Sequence, residues 1–241
     1  MRLTQVQHSE RSNPVMSALE IEKRGFAIFS DVLGGSDIER IDQQLAATPL
    51  PRSRAGMRHA LRHPAVREVA NDPLLLGIAR EILGRDAFPF RATLFDKSPA
   101  SNWLVVWHQD TALPLRERRD VAGWGSWSVK DKVIYAHAPA TTLSQVLALR
   151  LHLDDSLPEN SPLRVLPGTH TLGVLDDDAI HELSDRMPAV DCLIPRGGIL
   201  AMRPLLIHAS SKSRSTMRRR VLHLEYASTA KLQESLELAI S

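Results

Sequence analysis

Between positions 146 and 154 the chain alternates with period two: Leu147, Leu149, Leu151 and Leu153 interleave with Ala148, Arg150, His152 and Asp154. Successive side chains of an extended chain point to opposite faces, so this segment predicts a strand with leucines on one face and polar groups on the other. It belongs to a series of short runs rich in β-branched, leucine and aromatic residues that begins near residue 86 and is punctuated by Pro and Gly turns. The runs fall at 88–95, 103–107, 133–137, 146–154, 163–166, 190–194, 199–202, 205–208 and 220–226. Many short strands without intervening helices imply an antiparallel barrel or jelly roll.

The first 85 residues carry helix signals instead. Ser36 and Glu39 have capping-box spacing, and Ile38, Ile41 and Leu45 then share one helical face before Thr48-Pro49 ends the run. A second helix is expected from Asp72 as N-cap and Pro73 at the first position to Gly84 just past the end. The expected class is therefore α+β with a mainly β core, helices packing outside it. With 241 residues, 43% of them hydrophobic, the chain suits one domain: mainly helical support over 1–85, a β core over 86–227.

A net charge of +2, with no basic stripe carrying interleaved aromatics, gives no reason to expect a nucleic-acid partner. No signal-peptide run opens the sequence and no stretch approaches the roughly 18 apolar residues of a membrane span, so a cytoplasmic protein is expected. Cys192, the single cysteine, has apolar neighbours and reads as a small buried hydrophobe. Residues 111–132 lack clear periodicity but contain Trp124 and Trp127, and this stretch reads as a lid loop over a site. Arg116, Arg118 and Arg119 within it could attract an anionic substrate but read first as a solvated charged loop.

The chemistry concentrates around Trp107-His108-Gln109-Asp110, at the end of an apolar run. Alternation sends His108 and Asp110 to the same side, where they can share one ion. An imidazole and a carboxylate joined by a distant second histidine form the 2-His-1-carboxylate set, which leaves adjacent positions of Fe(II) open for dioxygen chemistry. His208, directly after Leu205-Leu206-Ile207, suits the third position; on spacing alone His137, His152, His170 and His223 stay open as well. Arg219, eleven residues beyond His208 at the start of the last strand, favours His208. A guanidinium there can grip the distal carboxylate of 2-oxoglutarate in a bidentate fork, with Ser210 as a second donor. The same three ligands could serve a zinc or manganese isomerase or hydrolase, which would leave Arg219 unexplained, or a binding or sensor module that keeps the fold and turns nothing over.

Four segments together, LFDKSPASNWLVVWHQD, LALRLHLDD, ENSPLRVLPGTH and RPLLIHASSKSRSTMRRRVLHLEYA, resemble the phytanoyl-CoA dioxygenase family of 2-oxoglutarate oxygenases over roughly residues 86 to 227. The resemblance implies a double-stranded β-helix. It implies Fe(II), 2-oxoglutarate and O2 as the reaction's requirements and a small organic molecule as the substrate to be hydroxylated. His108, Asp110 and His208 match the iron ligands, and Arg219 with Ser210 matches the grip on the far carboxylate. Thr93 and Arg150 match positions that often line the cosubstrate pocket, although some members carry tryptophan in place of Arg150, and Gln109 lies within the ligand motif. Pro167-Gly168-Thr169-His170 matches a turn found through the family, which argues against His170 as a ligand. Asp110 fills the position that halogenases of related families open to chloride, so hydroxylation is the expected outcome.

Overall fold

The structure is a computed structural model describing residues 14–47, 56–233 and 236–240. Its N-terminal part holds α1 (Pro14–Arg24), β1 (Phe26–Phe29), α2 (Gly35–Ala47), β2 (Gly56–Met57), α3 (Pro64–Ala70) and α4 (Pro73–Leu83). There follow β3 (Phe88–Lys97), β4 (Val105–His108), β5 (Ala112–Leu115), β6 (Trp127–Lys130), β7 (Val133–His137), α5 (Ala140–Leu143) and β8 (Val146–His152). The remainder is β9 (Leu163–Val165), α6 (Asp177–Arg186), β10 (Val190–Cys192), β11 (Ile199–Met202), β12 (His208–Ser210) and β13 (Arg219–Ala227).

All strand pairs are antiparallel. A six-stranded sheet runs β1-β11-β8-β13-β3-β2, a four-stranded sheet β10-β9-β12-β4, and a three-stranded sheet β5-β7-β6. This is the expected jelly roll. On the outer face of the large sheet the four leucines of the alternating run pack with Leu222, Leu224 and Tyr226 against Ile21, Ile38, Ile41 and Leu75 from the helices. Each fully buried leucine there contributes about 1.5–3 kcal/mol. The Tyr226 hydroxyl donates to Ala70 O at 2.9 Å, tying α3 to the same face. On the inner face Ala148, Leu200 and Met202 meet Leu163, Val165 and Cys192 of the four-stranded sheet. Cys192 is fully buried, and burial pushes its thiol up to about 12, the inert behaviour expected of it.

Several local expectations shift. α4 keeps its Asp72 cap, whose carboxylate accepts from Leu74 N at 2.8 Å. α2 begins one residue before Ser36: Asp37, not Glu39, reaches back to accept from Gly34 N at 3.3 Å, and with no side chain on Gly34 to return the bond only half of a box forms. Thr48-Pro49 lies outside the described residues. The mainly helical N-terminal part also adds two strands to the large sheet, β1 pairing with β11 and β2 with β3. The apolar run 205–208 is strand only from His208. Leu206 and Ile207 N–H groups donate to Arg203 O and Thr169 Oγ1, so the preceding residues form a buried turn.

The largest correction is at 111–132. It is not a loop throughout: β5 and β6 both pair with β7. Trp124, 8% exposed, packs in a cluster with Leu113, Leu115, Leu143 and Leu205. Its strands are four residues each, too short to show a period, and their partner lies further along the chain. Arg116 pairs with Glu237, Arg119 with Glu117, and Arg118 stacks over Trp127, which is the solvated role expected of these arginines.

Candidate metal centre

His108 closes β4 and His208 opens β12, and the two are direct cross-strand partners. Asp110 has left the strand, its N–H donated to Pro204 O at 2.9 Å, and its carboxylate faces both imidazoles. Asp110 Oδ1 lies 3.6 Å from His108 Nε2, and Oδ2 lies 3.5 Å from His208 Nε2. Ligand atoms of the three lie within 4.8 Å of one another, the one such group of three among the described residues.

The donor set fits a divalent transition metal. His108 Nδ1 stands 2.8 Å from Val106 O and His208 Nδ1 2.9 Å from Leu206 O. A carbonyl can only accept, so each Nδ1 carries the proton and each Nε2 lone pair is left facing its partners, the arrangement metal-bound histidines use. Burial pushes His208 down to about 4, which keeps it neutral and ligating at ordinary pH. Burial alone would raise the Asp110 carboxyl, but positive charge on the facing imidazole pair, where a bound cation would otherwise sit, holds it well below the usual carboxylate range.

The floor of the site follows from register. Arg91, Thr93, Phe95 and Lys97 on β3 stand opposite Glu225, His223, Val221 and Arg219 on β13. On the other side of β13, His223 pairs with Arg150 and Val221 with His152 of β8. The polar face of the alternating run is therefore the barrel interior rather than a solvent face, and every residue of β8 is buried. Thr93, Arg150, Ser210 and Arg219 line one cavity of about 300 Å³ together with His108, Asp110 and His208.

At one end of this cavity stand three buried cations. Arg219 Nε donates to Asn160 O at 3.1 Å and its Nη2 to Ser210 Oγ at 3.3 Å. Lys97, 2% exposed, donates to Ser210 Oγ at 3.0 Å and Ser211 O at 2.7 Å. Arg150 reaches His223 Nδ1 at 3.0 Å and lies over the Phe95 ring, its buried Nε without a partner. Among the described residues no carboxylate is paired with any of the three. The strain shows in their acidities: burial, then Arg219 and Arg150, push the Lys97 ammonium down to about 8, and burial, then Arg150, push Arg219 down to about 10. An isolated buried cation is costly, and three together form a pocket that wants an anion.

Gln109 does not join them. Its Nε2 donates to Gly173 O at 2.9 Å and Leu205 O at 2.8 Å, and its Oε1 accepts from Leu175 N at 2.9 Å. Alternation turns it away from the cavity, where it ties three backbone segments together. Arg218 and Arg220 also face away: Arg218 pairs with Asp96, Arg220 with Asp154 and Asp42. Lys97, Arg91 and Glu225 went unnoticed in the sequence, although period-two counting from Thr93 and from Arg219 would have found all three. The rival histidines are accounted for. His137 contacts Thr111 Oγ1, His170 contacts Glu22 O, His152 is buried on the same face as Arg150 without lining the cavity, and His223 is held by Arg150.

A sequence model of the family described as Phytanoyl-CoA dioxygenase (PhyH) matches residues 21–221. The chain is 26% identical to the L-proline trans-4-hydroxylase of Streptomyces griseoviridis over 180 residues, covering 64% of this chain and 59% of that protein. It thus spans less than two thirds of that relative's length. It is 22% identical to the ectoine dioxygenase of Halomonas elongata, covering 86% of this chain and 68% of that protein. Among solved structures, EctD from S. alaskensis in its apoform superposes with a TM-score of 0.68 at 22% identity, over 97% of this chain and 85% of that one. The family match runs from α1 into β13 and takes in both strands that carry the histidines, so the chain belongs to the phytanoyl-CoA dioxygenase family.

Proposed function

We propose that this protein is an iron(II)- and 2-oxoglutarate-dependent dioxygenase that hydroxylates a small organic substrate and releases succinate and carbon dioxide. The observation that carries this reading is the trio Arg219, Lys97 and Arg150, buried without a carboxylate partner beside a 2-His-1-carboxylate set in the same cavity. A metal-only isomerase or hydrolase has no use for that anion pocket. The relatives named above, by their names a hydroxylase and a dioxygenase of small molecules, support the same class.

His108, Asp110 and His208 would hold iron(II), and Arg219 with Lys97 would hold the distal carboxylate of 2-oxoglutarate, Ser210 Oγ accepting from both cations while it donates to Ser161 O. When bound, iron with 2-oxoglutarate and dioxygen supplies the oxidising chemistry, coupling loss of carbon dioxide from the cosubstrate to oxygen insertion into a C–H bond. The protein's share is geometric and electrostatic. The Val106 and Leu206 carbonyls fix the imidazole tautomers, the Arg219 fork aligns the cosubstrate, and the Phe95, Trp103 and Leu163 walls limit water.

Anaerobic titration of the iron-loaded protein with 2-oxoglutarate tests this. A visible metal-to-ligand band and succinate formation on admitting air are the expected results; a metal-loaded protein that gives neither would sink the proposal.

A further inference from the structure

Six cationic side chains line the cavity, Arg58, Arg91, Lys97, Lys130, Arg150 and Arg219, against two carboxylates, Asp110 and Glu225, an excess of four positive charges. Iron(II) and the 2-oxoglutarate dianion cancel each other, so loading leaves that excess unchanged. Neither acid is free for a substrate. Asp110 belongs to the ligand set, and Glu225 takes a doubled ion pair from Arg91 across the β3–β13 ladder.

The cations divide between two ends. Lys97 opposes Arg219 at one end of the ladder, and Arg91 opposes Glu225 six residues away along β3, about 20 Å at ~3.3 Å per residue. The second end is closed by the three-stranded sheet. Lys130 Nζ and the Arg91 guanidinium stand 5.2 and 5.7 Å from the Tyr135 ring centre. Burial, then the neighbouring Arg58 and Arg91, push the Lys130 ammonium below its usual value, so these three charges crowd one another. Among the described residues neither Arg58 nor Lys130 has a carboxylate partner. Two unpaired cations on a cavity wall concentrate field where a substrate must enter.

We infer that the primary substrate is an anion bearing a carboxylate or a phosphate monoester, held by Arg58 and Lys130 at the Tyr135 end while the carbon to be oxidised lies toward His108 and Asp110. This rests on the oxygenase reading for which end the cosubstrate takes. A substrate recognised through an ammonium group finds no available carboxylate in this cavity and is rejected.

The test is calorimetric titration of the anaerobic protein, loaded with iron(II) and saturating 2-oxoglutarate, with phenyl phosphate, benzoate, benzyl alcohol and benzylamine. At least one of the two anions should bind about tenfold or more tightly than the alcohol, the scale of a hydrogen bond to a charged group, and benzylamine should give no binding heat. The better of the two identifies the charged group. In Arg58→Ala/Lys130→Ala, whose changed side chains are exposed and so leave the fold intact, that preference should disappear while 2-oxoglutarate still binds. Equal binding of alcohol and anions, tight binding of the amine, no binding by any probe, or anion affinity unchanged in the double variant would overturn the inference. If 2-oxoglutarate fails to bind while the anions bind in an Arg58- and Lys130-dependent way, the oxygenase reading falls and the anion site stands.

Discussion

His108 and His208 sit directly opposite each other on adjacent antiparallel strands, their ring centres 4.2 Å apart and both Nδ1 atoms already engaged by carbonyls two residues back in the chain. The proposed ligand set is thus arranged by the protein before any ion arrives. Metal should stabilise the fold by mass action, about 2.7 kcal/mol at a hundredfold excess over Kd. Thermal melts with and without iron(II) or manganese(II) should show that rise in the native protein, and His208→Ala should remove it. A metal-dependent rise that survives in His208→Ala would place the ion elsewhere.

If Arg219 grips the 2-oxoglutarate carboxylate as proposed, Arg219→Ala strips that carboxylate of its bidentate partner, a loss of about 2–5 kcal/mol by analogy with buried charge pairs. Affinity for 2-oxoglutarate should fall steeply while metal binding holds. Arg220→Ala should do the reverse of this: its partners are Asp154 and Asp42, so the melting temperature drops and 2-oxoglutarate affinity stays. If Arg220→Ala were the variant to lose 2-oxoglutarate, the inward register of β13 would be wrong.

Gln109→Leu removes three hydrogen bonds to backbone and leaves buried carbonyls without donors, at about 1–3 kcal/mol for each group left unsatisfied. Denaturation should show the cost. A direct cosubstrate role would instead appear as weakened 2-oxoglutarate binding at unchanged stability.

Stability should decline in mild acid. Burial, then Arg150, hold both His152 and His223 well below 6.5, so they stay neutral in the fold but protonate in the unfolded chain. The unfolded state then binds more protons below about pH 6.5, and stability falls with pH there by up to about 1.4 kcal/mol per unit for each histidine. It is fully present above that pH. Urea midpoints at pH 7.5 and 5.5 measure the slope, which His152→Phe should flatten; an identical slope in that variant would clear His152 of any part in it.

Two glycines make a matched pair. Gly197 has φ +85° and an added Cβ would meet Leu33 O at 2.2 Å, so Gly197→Ala should cost about 1–3 kcal/mol. Gly77 lies within α4 with nothing near its Cβ position, and Gly77→Ala should stabilise by about 0.5–1 kcal/mol. Chemical denaturation of both variants checks the signs.

Properties of one strand or one cap were legible in the sequence by itself. Alternation put His108 and Asp110 on one side, separated Arg219 from Arg218 and Arg220, and split the leucines of 146–154 from Arg150 and His152. Asp72 and Pro73 announced the start of α4. Each follows from backbone geometry acting over a few residues. What the tertiary structure decided is which distant residues meet. Lys97 joined Arg219, Glu225 was taken by Arg91, β5 and β6 found β7, and His208 rather than His223 came opposite His108. Those outcomes depend on register and sheet closure, set by burying Leu147 to Leu153 against the helices at the same time as the inner cores. A local pattern cannot specify a non-local partner. Gln109 shows the limit most plainly: flanked in the chain by His108 and Asp110, it is committed to holding backbone together on the far side of the strand.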